Sequence, residues 1–210
     1  MPESAQQWYA RVGARIDAEG YRNPPWPAWP TWPLEGATAA RPLAPPGEEQ
    51  PRLGAGGVDC VQCERSRVDD PSDYVCWRDD LAMLGVPFQG SSLPFCTFLM
   101  TRRHADLSYL TPVEAARIGE LQMYVERAAC DVLDVPRVQV ARWGDGAEHL
   151  HWWVFARPTG MAQLRGTFVS LWDDLLPLPD PAAFRADLDL VADRLVELAG
   201  GEALPARPLR

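Results

Sequence analysis

The sequence contains no lysine. All 20 of its basic side chains are arginine, and they face 29 acidic ones for a formal charge of -9. That balance excludes the broad basic surface that duplex nucleic acid or an anionic membrane requires. It leaves room for a small phosphate pocket built from a few arginines, whose planar fork suits oxyanions. No run of 18 apolar residues is present, so no membrane-spanning helix is expected. The first residues, MPESAQQWYARVGARIDAEG, are polar and carry acid, unlike a secretory leader, and a cytoplasmic location is expected. Histidine occurs only at His104, His149 and His151. The five cysteines in this setting suit thiols or metal ligands better than a disulfide framework.

What is present is a soluble globular mixture, 47% apolar and 23% charged over 210 residues. Residues 4–19 read as a short amphipathic helix through Trp8, Val12 and Ile16. A proline-rich stretch, 24–51, follows, opening with PPWPAWPTWP; each proline forbids helix and favours extended chain. Trp26, Trp29 and Trp32 would anchor this arm on the domain, or serve a dimer contact or a flap over a pocket. The expected organisation is an arm over 1–57, a main domain over 58–158 and a C-terminal extension over 159–210.

Within the main domain, 73–77 and 81–86 read as strands around a turn at Arg78-Asp79-Asp80, and 95–101 as an apolar and aromatic strand. Thr111-Pro112-Val113-Glu114 has the order of a capping box, opening a helix to about Leu133. Further strands are expected over 137–141 and 149–156, and a last helix enters at Asp180-Pro181. On the 149–156 strand, alternation puts His149, His151 and Trp153 on one face.

Cys60-Val61-Gln62-Cys63 is a CxxC pair, which with later histidines fits half of a tetrahedral zinc site; reduced thiols in a turn, with His104 exposed, are the other reading. His104 follows one strand and His149 opens another, which supplies two imidazoles. Cys60, Cys63, His104 and His149 are therefore the candidate metal ligands. His151 is the candidate nucleophile or base, since a neutral imidazole is competent as either. Gly144 and Gly146, just before it, would let backbone approach a phosphate closely. Arg142 could pair with that phosphate or be a surface residue at a strand end, and Arg157, past the strand, has the same two readings. Cys96 would face the pocket if the register holds, or be a small apolar strand residue; Trp153 is the better pocket candidate of the two tryptophans, with Trp152 expected in the core and Cys76 and Cys130 as core thiols.

This ordered series resembles the histidine-triad (HIT) superfamily over about half of the chain, Val58 to Pro158. The match comprises Cys60-x-x-Cys63, the hairpin near Tyr74-Val75-Cys76-Trp77, and the strand leading to Arg102-Arg103-His104. The helix after Thr111-Pro112 and the strand His149-Leu150-His151-Trp152-Trp153-Val154 complete it. The CxxC/His/His pattern is like that of the galactose-1-phosphate uridylyltransferase branch, whose members also lack the third histidine.

The resemblance implies an α+β fold: a five-stranded antiparallel sheet with a packed helix, commonly dimeric. It implies a structural zinc, with His104 and His149 among its ligands, and a nucleotide or nucleotide-conjugate substrate. His151 would be the nucleophile, forming a nucleotidyl-histidine in a hydrolase or nucleotidyl transferase. Non-catalytic binding on the same scaffold, or its recruitment to other biosynthetic chemistry, are the alternatives.

The chain departs from the family pattern at four places. Trp153 stands where hydrolases have the third histidine, and an indole cannot shuttle a proton. Cys96 stands where many members have a histidine, Arg142-Trp143-Gly144 where an Asn-x-Gly pattern is common, and Gly146 where a hydroxyl residue often sits.

Overall fold

The computed structural model describes residues 5–19, 44–88 and 90–206; Trp26, Trp29 and Trp32 lie outside the described residues. The chain divides into two units, Met1–Pro51 and Arg52–Arg210. In the first, helix α1 runs over Ala5–Glu19, where the spacing of Trp8, Val12 and Ile16 predicts it.

The second unit is an antiparallel sheet with helices. In chain order its elements are α2 (Val61–Arg67), β1 (Val75–Arg78), β2 (Ala82–Gly85), β3 (Phe95–Thr101), α3 (Pro112–Val132) and β4 (Gln139–Ala141). They continue with β5 (His151–Ala156), α4 (Val169–Leu175), α5 (Pro181–Ala199) and β6 (Glu202–Ala203). The strand order is β4-β5-β3-β2-β1-β6, and each neighbouring pair is antiparallel. The expected five strands are present. The two-residue β6, laid against Trp77 and Arg78, adds a sixth.

Local chemistry explains the elements. In the β1–β2 turn, Asp79 Oδ1 accepts from Leu81 N at 2.8 Å and Ala82 N at 2.7 Å, an Asx-type turn that reverses the chain in place. Every residue of β3 is buried, as a central strand covered on both faces should be.

One face of the sheet, carrying Leu84, Leu99 and Val154, packs against Ile118, Leu121 and Val125 of α3 and Leu188 and Leu195 of α5. The opposite face gathers Met83, Phe98 and Met100, with Trp153 against them. Trp152 falls on the helical side as expected, its indole N–H buried without a hydrogen-bond partner among the described residues. Beyond β5, Leu164 and Val169 of the extension join the helical core. No helix among the described residues is long and apolar enough to cross a membrane.

Strand β5 begins two residues later than the pattern suggests. Leu150 N bonds the carbonyl of Ala105 at 2.8 Å instead of continuing the ladder with β3, so His149 stands just beyond the strand end.

The start of α3 carries the expected capping box. Thr111 Oγ1 accepts from Glu114 N at 3.2 Å, and Glu114 Oε2 accepts from Thr111 N at 2.8 Å. Arg103 then donates to both oxygens of Glu114, at 2.9 and 2.8 Å. Because Arg103 precedes His104, this fork holds the loop carrying a candidate ligand against the helix N-terminus. The Glu114 side chain is 6% exposed. Arg103, helped by the Thr111 N–H and hydroxyl against the cost of burial, pulls its pKa down to about 2.

Glu114→Gln is expected to cost about 1–3 kcal/mol at neutral pH, the scale of a lost cap plus a broken charged hydrogen bond. A depressed carboxylate pKa stabilises fully above its unfolded value, 4.5, and loses that contribution as pH falls toward about 2. The Tm gap between wild type and variant should therefore narrow below about pH 4.5. A gap that is constant from pH 7 to pH 3 contradicts this account.

Candidate functional site

Four ligand-type atoms, from Cys60, Cys63, His104 and His149, lie within 4.8 Å of one another. Three elements deliver them. Cys60 caps α2 and Cys63 lies in its first turn, so the CxxC spacing places both thiols at one helix end. His104 follows β3 and His149 precedes β5, two strands paired antiparallel, whose adjoining ends supply the imidazoles. The approach to Cys60 is wound tightly. Gly54 has φ +72°, and a Cβ there would stand 3.1 Å from that of Cys60, a conformation and spacing that favour glycine.

The distances fit a metal. Nδ1 of His149 is 3.4 Å from Cys60 Sγ and 3.5 Å from Cys63 Sγ, and Nδ1 of His104 is 3.6 Å from Cys63 Sγ. A regular tetrahedron with Zn–S of about 2.3 Å and Zn–N of about 2.05 Å has an N···S edge of about 3.55 Å.

The second ring nitrogens set the tautomers. His149 Nε2 is 2.8 Å from the carbonyl oxygen of Thr101, which only accepts, so Nε2 carries the hydrogen and Nδ1 turns a lone pair to the thiols. His104 Nε2 faces Glu148 Oε1 at 3.3 Å in the same sense. Burial holds the His149 pKa below its ordinary value, with His104 and His151 adding to the effect against the Thr101 bond. Burial, reinforced by Cys60, pushes the Cys63 thiol up to about 11. Two buried thiols beside two imidazoles are a donor set whose ionisation calls for a cation.

An ionic chain runs outward from this cluster. Glu148 accepts from Gly56 N at 3.0 Å and lies 3.7 Å from Arg52; the Gly56 N–H first, then His104, lowers its pKa. Arg52 reaches Asp106 at 2.8 Å, and Arg142 reaches the other Asp106 oxygen at 2.5 Å. Burial raises the Asp106 pKa, but the Leu107 N–H and the two guanidinium groups outweigh it and leave a net depression. Residues 52–53 also hold the glycine turn: Arg52 donates to the carbonyl of Gly144 at 3.0 Å, and Leu53 N to that of Gly146 at 2.9 Å.

His151 occupies the first position of β5, opposite Met100. Its Nδ1 is 2.9 Å from the carbonyl oxygen of His149, so Nδ1 donates and, in the neutral ring, Nε2 keeps its lone pair. Among the described residues Nε2 has no hydrogen-bond partner. The ring stands edge-on to Phe98, 5.9 Å between centroids. Trp153 packs on the same Phe98 at 4.4 Å, stacks on Phe155 at 5.4 Å and meets Trp143 at 5.9 Å. The shared face predicted for His151 and Trp153 is present, and it is aromatic.

Two other residues are held by their neighbours. Cys96 is 1% exposed. It sits at the far end of β3 opposite Phe155, where Asp173 of α4 binds the Ser91 and Ser92 hydroxyls, each at 2.8 Å, so it lines no open surface. Arg142 is engaged by Asp106, and its guanidinium lies against Gly144, 2.7 Å from where a Cβ would be; its charge is neutralised rather than presented to a phosphate. Cys76 is a core thiol as expected, and Cys130 packs at the core margin. Of the residues sequence reasoning missed, Glu148 had a signal in its adjacency to His149. Arg52 and Asp106, which join across 54 positions, had none.

No protein-family model and no curated protein matches this chain. It is similar to a zinc-bound histidine triad family protein from Mycobacterium smegmatis, at 20% identity and a TM-score of 0.48, over 66% of this chain and 94% of that one. It is also similar to a hypothetical histidine triad nucleotide-binding protein from Sulfolobus tokodaii, at 13% identity and 0.48, over 67% and 97%. A third similar structure is a uridylyltransferase, at 17% identity and 0.48, over 69% of this chain but 47% of that one, so the chain spans about half that enzyme's length. The case for a metal centre stands on the four ligand atoms themselves.

Elemental analysis of gently purified protein should find about one zinc per chain, and Cys63→Ser should carry less than about half. Glu148→Ala should weaken metal binding by about 10–100-fold, the usual effect of removing the partner of a ligating imidazole. Unchanged metal content in both variants would sink the assignment.

Proposed function

We propose that this protein binds a nucleotide or nucleotide conjugate on the sheet face at His151 and that His151 attacks its phosphorus, in the manner of the histidine-triad proteins it resembles. The observation that carries the reading is the 2.9 Å bond from His151 Nδ1 to the His149 carbonyl. It fixes the ring and its tautomer and leaves Nε2 as a directed nucleophile. The Nε2 lone pair forms the N–P bond as the bond from phosphorus to the leaving group breaks. Water or an acceptor hydroxyl then attacks phosphorus, gives up its proton, and returns the electron pair to Nε2.

Zinc, held by Cys60, Cys63, His104 and His149, is the structural cofactor of this reading. When bound there it would be held by these four side chains and would supply the charge that ionises the thiols. Trp153 takes the third-histidine position and packs against Phe98. It lends an apolar wall and no proton, which favours leaving groups that depart without protonation by the protein. With Arg142 held by Asp106, the donors for phosphate oxygens near His151 are backbone N–H groups of the 144–147 turn.

Incubation with a panel of nucleotides and nucleoside phosphoramidates, followed by mass analysis, should reveal a nucleotidyl adduct on His151. His151→Ala should abolish the adduct and lower turnover by at least about 1,000-fold, with zinc content unchanged. Binding that survives in His151→Ala without any turnover by wild type would instead identify a non-catalytic nucleotide-binding protein.

A further inference from the structure

The ring system around His151 extends to a cation that the reaction does not use. Phe98, which touches His151, lies 6.5 Å from Phe88 between centroids. Phe88 is 59% exposed, and the guanidinium carbon of Arg65 sits 3.8 Å from its ring centroid. The same carbon is 4.7 Å from the ring centroid of Tyr74. Arg65 belongs to α2, two residues after the ligand Cys63, so the metal-bearing helix fixes its origin and two aromatic rings fix its head.

Arg65 has no carboxylate partner among the described residues, in a chain with 29 acids for 20 arginines. The arginines that brace the fold differ: Arg103, Arg117, Arg185 and Arg194 each hold an acid within 2.9 Å. A guanidinium held over aromatic rings still has N–H donors to offer, in the planar fork that meets an oxyanion through two parallel bonds. Packing on aromatic rings also removes much of the side-chain entropy that an exposed arginine would lose on binding.

The geometry points to Arg65 as a specificity-determining anion site: the substrate carries a second oxyanion, remote from the reacting phosphorus, which Arg65 takes while the body of the substrate covers the exposed ring of Phe88. This rests on His151 as the phosphorus site and adds the class of substrate, a phosphorylated compound with a flat or apolar body and a distal carboxylate or phosphate. Tyr74 and Phe88 are positioning residues for Arg65.

The test uses the full zinc-loaded chain and binding calorimetry with phenyl phosphate and biphenyl-4-yl phosphate, each with and without a carboxylate at the far para position. A parallel arm replaces the carboxylate with a second phosphate and tells which oxyanion is preferred. In wild type the distal acid should improve affinity by at least about tenfold at one of the two lengths, the effect of a charge-assisted bidentate pair. In Arg65→Met, which keeps a stem to pack on the rings, the ratio of affinities should fall to about one. Arg65→Lys should keep only part of the ratio, and Phe88→Ala should lower it by freeing the guanidinium.

No gain from the distal acid at either length, or a gain that Arg65→Met leaves intact, overturns the proposal. Zinc content and circular dichroism establish that each variant is folded. Repeating the ratio in His151→Ala separates the two readings. A ratio that persists there while wild type forms no phosphohistidine removes the catalytic reading and keeps the anion site; an adduct without any ratio does the reverse.

Discussion

A single carbonyl group, that of His149, sits where two demands on the chain meet. The side chain of this residue is buried beside two thiols, and its main-chain oxygen orients the imidazole two positions later. Cluster and catalytic candidate therefore share one stretch of backbone, and neither can shift without the other. The antiparallel pairing of β5 with β3 sets the register of both, and the Thr101 carbonyl at the end of β3 completes the hold on His149. Any movement of the His149 backbone would thus be passed to His151 through the hydrogen bond its carbonyl accepts.

Much of this was legible in the residues because the signals are local. A CxxC at a helix start, a capping box and an alternating apolar strand each announce themselves within a few positions. The cluster was legible for a second reason: with so few histidines, the choice of imidazole ligands was small. Cys96 and Arg142 were ambiguous for one common reason. Parity and proximity say which way a side chain starts, but not what tertiary structure has already placed there. Asp173 arrives from α4 to close the Cys96 end of the sheet, and Asp106, 36 positions from Arg142, arrives from the loop after β3. The Arg65 cage escaped for the same reason, since Tyr74 and Phe88 come from opposite sides of the β1–β2 hairpin.

The electrostatics of the protein are divided. Acids outnumber arginines overall, yet the carboxylates around the metal cluster, Asp106 and Glu148, are held in ion pairs and backbone bonds. The face at His151 is floored instead by rings. That division keeps the carboxylates of Asp106 and Glu148 engaged and leaves rings rather than acids beside His151.

The short C-terminal strand β6 has a consequence for the sheet as a whole. It pairs with β1 through Trp77 and Arg78, and Arg185 clamps it by donating to the carbonyls of Ser72 and Leu204. One margin of the ladder is thereby capped by a segment too short to template another chain. Growth of the sheet by a neighbouring strand is left to β4, the opposite margin. That strand leads directly into Arg142, Trp143 and Gly144. A second chain docking there would be felt first at Trp143, the tryptophan that meets Trp153, so that association along this margin would reach the aromatic face of His151 before any other part of the sheet.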